Sequence, residues 1–338
     1  MKSRVNMKKQ AKMPKYAESG PSEAAKETSG PAYRFTGHET FAVRYSWLPK
    51  AFFELNRNPQ LFSNEEDAMV LLGVGRNMVK SIRFWVQASG VANGVKQGLV
   101  PTSFGKQILD EKTGFDPYLE DIRTLWLVHW KIASNAREPL FAWEFLFNRW
   151  QHPEISRTEV IAAFLQEATR MDRKLSTVTV EQHFDTFLHT YLPTRSTKGD
   201  VREDNLDSPL VELDLIRRAG EKRLANSGKT EWSYIFNRDV KPSVSPELFC
   251  YCIRDYWENR SLHEETLSFR DIAVNVGSVG QIFKLPEADI RQRLEAIDSD
   301  SKGTLTFHES SANSYLTKMG MRSEDALAAV FQAEMAYA

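Results

Sequence analysis

The stretch LLGVGRNMVKSIRFW, Leu71 to Trp85, decides how this chain is read. Its glycines, lysine and serine suggest a phosphate-binding loop. Such a loop reads G-x-x-x-x-G-K-[ST] between a strand and a helix. Here Val79 stands where the second glycine must be, and Gly75 lies five residues before Lys80. The preceding residues read as a helix. An S-x-x-E box at Ser63 and Glu66 opens it at Asn64, and it runs through Ala68, Met69, Leu71 and Leu72. A nucleotide cradle is set aside.

The helical reading says more. At ~100° per residue, Arg76, Lys80, Arg83 and Gln87 fall on one stripe roughly 60° wide. Met78, Ile82, Trp85 and Val86 fall opposite, where a core would sit. Asn77 and Ser81 are read as flanking the stripe. Arginine and lysine neutralise phosphates or read guanine edges, and an amide pairs with adenine.

Outward from this helix, no acid occurs between Asp67 and Asp110, while Arg76, Lys80, Arg83, Lys96 and Lys106 all fall there. Asn93-Gly94 and Gln97-Gly98 signal turns around short β-prone pieces, and Thr102 or Ser103 caps the next helix. Helix, turn, helix, hairpin, helix is the order of a winged helix-turn-helix. The expected contacts to duplex DNA are Arg76, Asn77, Lys80, Ser81, Arg83, Gln87, Lys96 and Lys106. A partner-protein surface and a merely solvated face are the competing readings.

The fold class expected is mainly α, with winged helix-turn-helix modules and small β wings around a helical middle region. Residues 1–32 read as a disordered basic tail and 33–114 as the first winged-helix domain. Residues 115–265 read as a helical middle domain. Residues 266–338 read as a second winged-helix-like module with a terminal helix. Phe41, Val43 and Tyr45 alternate as a short strand or extended lead-in, followed by a helix through Trp47, Leu48, Ala51, Phe52 and Leu55. In the middle, Ser156 and Glu159 form a second capping box. Phe184, Phe187, Leu188 and Tyr191 line one side of a further helix. TRSTKGDVREDN is loop-like and SPLVELDLI a short buried segment, read as a strand. Late in the chain, Pro286 suits a helix's first turn and TLTFH a wing strand. Arg291, Arg293 and Lys302 form a second DNA or partner surface there. The acids interleaved with the arginines favour protein over DNA.

Composition bounds the rest. Hydrophobic residues at 41% and charged residues at 26% are those of a globular protein. No apolar run reaches the ~18 residues of a membrane helix, and the basic start lacks an apolar segment after it. Cys250 and Cys252 lack partners for a disulfide framework or a zinc site. They are read as core, in a reducing cytoplasm. Seven histidines are scattered without an H-E-x-x-H. His38 beside Glu39 reads as a buried, hydrogen-bonded histidine. No cofactor, metal site or catalytic residue is expected.

Three stretches together resemble a known family: FTGHETFAVRYSWLPKAFFEL, LGVGRNMVKSIRFWVQA and EDNLDSPLVELDLI. It is the prokaryotic family of unknown function numbered four thousand and seven. The similarity spans roughly residues 34 to 318. Its members are often encoded near phosphoadenosine-phosphosulfate-reductase-like proteins, in clusters linked to DNA sulfur modification and phage defence. The resemblance implies that setting and supplies no catalytic residues. The expected role is a non-enzymatic DNA-binding subunit of a phosphorothioation-type or defence system. Sulfur-transfer or other defence-complex subunits are its expected partners. An adaptor binding only proteins is the second reading, and a nuclease with a site not written as a motif is the third.

Overall fold

The computed structural model describes residues 31–193, 208–224, 228, 230–260, 263–310, 313–320 and 323–332. The expected tail up to residue 30 and the stretch TRSTKGDVREDN lie outside them. The chain is mainly helical, with small antiparallel sheets of two and three strands.

α1 (Trp47–Arg57) buries Trp47, Leu48, Ala51, Phe52 and Leu55 at the expected helical spacing. Of the two readings of Phe41 to Tyr45, the strand does not form and a lead-in without regular structure takes its place. No neighbouring strand pairs with it, and the Phe41 carbonyl accepts from the Trp85 indole instead. α2 (Glu65–Leu72) is capped by Asn64, whose side chain accepts from the Glu66 amide at 3.0 Å. The cap falls one residue past the expected Ser63 because Ser63 closes a 3-10 turn, Leu61–Ser63. Gly73 ends α2 at φ 65°, and α3 (Arg76–Ala88) follows.

β1 (Ala92–Val95) and β2 (Gly98–Pro101) then pair as a hairpin turning at Lys96 and Gln97, so Asn93-Gly94 lies inside β1. The Leu99 amide also donates to the Pro59 carbonyl, adding an outer rung. A Cβ on Gly98 would meet that carbonyl oxygen at 2.1 Å, so only glycine fits. Thr102 caps α4 (Ser103–Leu109), accepting from the Gly105 amide at 2.9 Å.

α5 (Ile122–Ala133) is buried along nearly its whole length. α6 (Phe141–Glu144) runs into a π turn, Phe145–Arg149. α7 (Arg157–Arg170) follows a short strand, β3 (Ile155–Ser156), with Ser156 as its N-cap but without the expected side-chain bond. α8 (Thr177–Tyr191) buries Phe184, Phe187, Leu188 and Tyr191 as its spacing predicts. SPLVEL is a 3-10 turn, Pro209–Leu213, not a strand; Pro209 starts it and the Ser208 side chain accepts from the Leu210 amide. The strands come next: β4 (Ile216–Arg223) and β5 (Thr230–Phe236) join β3 in the order β3-β5-β4.

α9 (Pro246–Arg260) leads into the last group: β6 (Thr266–Ser268), α10 (Phe269–Ala273), α11 (Val279–Phe283), α12 (Glu287–Asp300), β7 (Leu305–Glu309) and β8 (Ser314–Lys318), then α13 (Ser323–Gln332). The sheet order is β6-β8-β7. Pro286 stands at the N-cap of α12, one place before the expected first turn. Both ends of the described chain thus run helix, extended segment, helices, hairpin. Cys250 and Cys252 fill core. No helix among the described residues is long and apolar enough to cross a membrane.

Two buried histidine relays bind these ends to the middle. In one, the Ala142 amide donates to His183 Nε2 at 3.0 Å. The His183 proton must then sit on Nδ1, 3.0 Å from His38 Nε2. That leaves His38 Nδ1 to donate to Thr186 Oγ1 at 3.1 Å, whose own proton goes to the Gln182 carbonyl. The Thr40 amide also faces His38 Nδ1 at 3.1 Å, and one neutral ring cannot serve both contacts. We assign the proton to Nδ1, because the alternative sets two ring protons against each other between the histidines. In the second relay the Trp143 indole donates to the Tyr191 hydroxyl, which donates to His129 Nδ1, and His129 Nε2 donates to the Ile282 carbonyl.

Each imidazole must stay neutral. Burial pulls His38 and His129 down to about 4 and His183 well below its ordinary value. Below pH 6.5 the unfolded chain takes up protons that the folded chain refuses, so stability falls as pH drops from 6.5 toward 4. Burial also pulls Lys284, held on the Phe147 carbonyl, down to about 7. There the unfolded chain binds more protons between pH 7 and 10.5, and stability rises with pH. The expected profile therefore climbs from pH 4 upward, with a loss on the order of several kcal/mol on the acid side. Equilibrium unfolding against pH checks it; a flat profile between pH 4 and 6.5 would contradict neutral imidazoles.

Candidate nucleic-acid interface

The buried side of α3 is seated by the segment before α1. Ser81 Oγ donates to the His38 carbonyl at 2.9 Å and the Trp85 indole to the Phe41 carbonyl at 3.0 Å. Arg34 lies 4.3 Å over the Phe84 ring. Gly37, at φ 108°, comes so close that a Cβ would meet Phe84 at 2.7 Å. Tyr45 in the same segment donates to the Glu212 carboxylate of the PLVEL turn. The first of the three stretches that carry the family resemblance therefore touches the other two.

The outer side carries the expected stripe. Arg76, Asn77, Lys80 and Arg83 are exposed, and Gln87 is half-buried at the last turn. Val79, Ile82, Trp85 and Val86 are sealed on the opposite side, and Met78 is partly covered. Glu65 on α2 faces two of the cations, Arg76 Nε at 3.2 Å and Lys80 Nζ at 3.9 Å. One carboxylate between two cations leaves a net positive charge, and their side chains remain 60% and 45% exposed. Arg83 makes no ion pair among the described residues. Lys96, at the hairpin turn, and Lys106, on α4, are exposed as well.

Ser81 is the correction. It is fully buried and its hydroxyl is engaged by His38, so it cannot reach DNA. At 100° per residue it sits about 130° from the middle of the stripe, on the core side.

The second surface fares differently. Arg293 is held by Asp289 at 2.9 Å and by the Val244 and Lys241 carbonyls, and is withdrawn into the fold. Arg291 pairs with Glu309 of β7 and lies over Phe269. Lys302 is exposed, in the turn after α12. What α12 exposes instead is Glu287, Gln292, Glu295 and Asp298.

Sequence reading missed a cleft of about 360 Å³ at the C-terminal end of α3. Gln87 and Asn93 border it from α3 and β1, Asn135 and Arg137 from the loop after α5, and Asn259 from α9. Its wall includes a buried ion pair, Lys131 Nζ to Asp255 Oδ1 at 2.6 Å. These residues come from four separate parts of the chain, and no local spacing announces them.

Among the described residues, no three His, Cys, Asp or Glu side chains converge as a metal's ligand set. His38, His129 and His183 serve the relays.

The family model described as "Protein of unknown function (DUF4007)" matches residues 35–332. The chain belongs to that family. It is also similar to two solved structures. One, described as "Magnesium ion-bound SspB crystal structure", shares 27% identity at TM-score 0.74, covering 89% of this chain and 88% of the other. The second, "SspB crystal structure", shares 26% identity at TM-score 0.72 with the same coverage. A comparison with curated proteins gives no match. The magnesium is a fact about that relative. The described residues hold no three-ligand cluster to receive it.

A two-sided α3 makes a sharp expectation for stability. Trp85→Ala should cost about 3–5 kcal/mol, as for buried tryptophans elsewhere. Ser81→Ala should cost about 1 kcal/mol for the missing bond to His38. Arg83→Ala should change stability by under about 0.5 kcal/mol, and Glu65→Ala by no more than about 1 kcal/mol. Urea unfolding measures all four. A loss from Arg83→Ala matching that of Trp85→Ala would mean the outer side is not free.

Proposed function

We propose that this chain is a non-enzymatic DNA-binding subunit of a prokaryotic DNA-modification system of the phosphorothioation type, or of a related phage-defence system. The observation that carries this reading is α3 itself: its apolar side is sealed and its outer side presents Arg76, Lys80 and Arg83 in a region without acids from residue 68 to 109. We read α2, α3 and the β1–β2 hairpin as a winged helix-turn-helix, supported by the rung to Pro59 that stands in for an outer strand. Arg76, Lys80 and Arg83 contact phosphates or guanine edges, and Asn77 at the helix start reaches a base edge or phosphate. Lys96 in the wing and Lys106 on α4 grip flanking backbone. Likeness over most of the chain to SspB supports a place in the same kind of system.

We read the last group, α9 to β8, as a second winged helix, since β6-β8-β7 has the strand order that such a hairpin and outer strand produce. Its α12 presents carboxylates, which DNA repels. This observation favours a protein-facing role for that end, as the adaptor reading expects. Partners are the other subunits of the complex.

Duplex binding by fluorescence anisotropy at low and moderate salt tests the reading, with the native protein and an Arg76→Glu/Lys80→Glu/Arg83→Glu variant. Native affinity should fall steeply with salt. The variant should bind far more weakly, with the log–log slope reduced by about 0.9 for each phosphate it no longer neutralises. Equal binding by both would remove α3 from the interface. No binding by either would favour the adaptor. Because a relative was solved with magnesium, the assay is repeated with Mg²⁺, where strand cleavage would establish a nuclease instead.

A further inference from the structure

We propose that the cleft at the end of α3 receives a single nucleobase turned out of the duplex. The inference rests on the DNA-binding reading above and adds a ligand to it.

Position is the first argument. The stripe of Arg76, Lys80 and Arg83 ends in Gln87, and Gln87 borders the cleft. A duplex lying along the stripe brings its backbone to the cleft mouth. Arg137 lines the cleft there, exposed and in no ion pair among the described residues, as a partner for the phosphate of a displaced nucleotide.

Chemistry is the second. The cleft is lined by carboxamides with unused hydrogen-bonding capacity. No hydrogen bond engages the Gln87 and Asn93 side chains among the described residues. Asn135 Oδ1 already accepts from the Arg137 and Glu138 amides, so its NH₂ faces outward as a donor. Asn259 Nδ2 is committed to the Asp255 carbonyl, which leaves its oxygen as an acceptor. A base edge, with donors and acceptors side by side, matches such a set.

Charge is the third. Lys131 and Asp255 neutralise each other, and Asp255 Oδ2 takes the Trp130 indole proton at 2.7 Å. The inner wall is thus balanced and suits an uncharged base, while Arg137, the one unpaired charge among the described lining residues, is left for the phosphate that carries the base. The half-exposed Phe104 ring, with the Lys131 ammonium 5.3 Å from its centre, supplies an apolar surface for stacking. The volume lies at the small end of the ~300–1,000 Å³ typical of small-molecule sites. A free nucleotide offers the same edge. The continuity with the stripe favours the base of bound DNA.

The test uses the full chain and duplexes carrying one 2-aminopurine, whose fluorescence rises when it leaves the stack. The label is moved through the site, paired or mismatched. The native protein should raise the signal severalfold at one position, and more for the mismatch, where extrusion costs least. An Asn93→Ala/Asn259→Ala variant, altered only at exposed side chains, should lose most of that rise. Its anisotropy affinity should stay within about threefold, since phosphate contacts dominate binding. Gln87→Ala provides a second variant, and thermal melts show that each folds. Bound DNA with no fluorescence rise at any position would overturn the cleft's role while leaving the DNA reading intact. An equal rise in native protein and both variants would overturn it too. Saturable binding of free 2-aminopurine riboside monophosphate, abolished in the variants, without any rise in duplexes, would assign the cleft to a free nucleotide and overturn extrusion. Failure of anisotropy binding itself would instead sink the DNA reading.

Discussion

A line of buried hydrogen bonds through α8 fixes the geometry of this protein. His183 and Thr186 hold His38, and through the His38 carbonyl they hold Ser81 on α3. One turn further along α8, Tyr191 holds His129, which holds the Ile282 carbonyl of α11. Both ends of the chain therefore hang from one helix by neutral imidazoles. Apolar packing could place these elements near each other, but it is tolerant of small slides. A relay of directional bonds in a dry interior is not: each misplaced donor leaves an unpaired polar group, at about 1–3 kcal/mol. The relays set orientation, and the aromatic core around them supplies the bulk of the burial.

The proposed interface should therefore be sensitive to residues that never meet solvent. α3 can present Arg76, Lys80 and Arg83 in register only if its back is held at two points, Ser81 and Trp85. Both points lie on the segment around His38 and Phe41. The positive φ of Gly37, Glu39 and Thr40 bends that segment tightly enough to return both carbonyls to α3. The GHETF motif thus acts as a clamp for the helix.

Much of the fold was legible because it is written in short periods. A helix of 3.6 residues per turn separates Arg76, Lys80, Arg83 and Gln87 from Ile82 and Trp85 without any knowledge of neighbours. The hairpin after it and Thr102's cap follow from local chemistry too. Ser81 was misplaced because a serine is compatible with either side; its burial depends on a carbonyl 43 residues away in sequence. The hairpin of β4 and β5 was missed for a different reason. β4 reads IRRAGEKR, charged at most positions and interrupted by a register shift between Arg218 and Gly220, so it has no apolar alternation to read. The cleft was invisible because its amides are brought together only by the relays and by the packing of α5 and α9.

The two ends share an order of elements and differ in charge, and the difference has a simple cause. In each, the core needs only the inner side of the last helix: Val79, Ile82 and Val86 in α3, Ile290, Leu294 and Ile297 in α12. The outer side is then free to vary without loss of fold. In α3 it has become cationic and keeps one compensating carboxylate, Glu65, on a neighbouring helix. In α12 Arg293 is drawn inward to the buried Asp289, Arg291 is paired at the surface with Glu309, and Glu287, Glu295 and Asp298 face out. On the proposed reading, the surface that attracts phosphate and the one that repels it, each on an end of the described chain tied to α8 by its own relay, engage a polyanion and a protein separately.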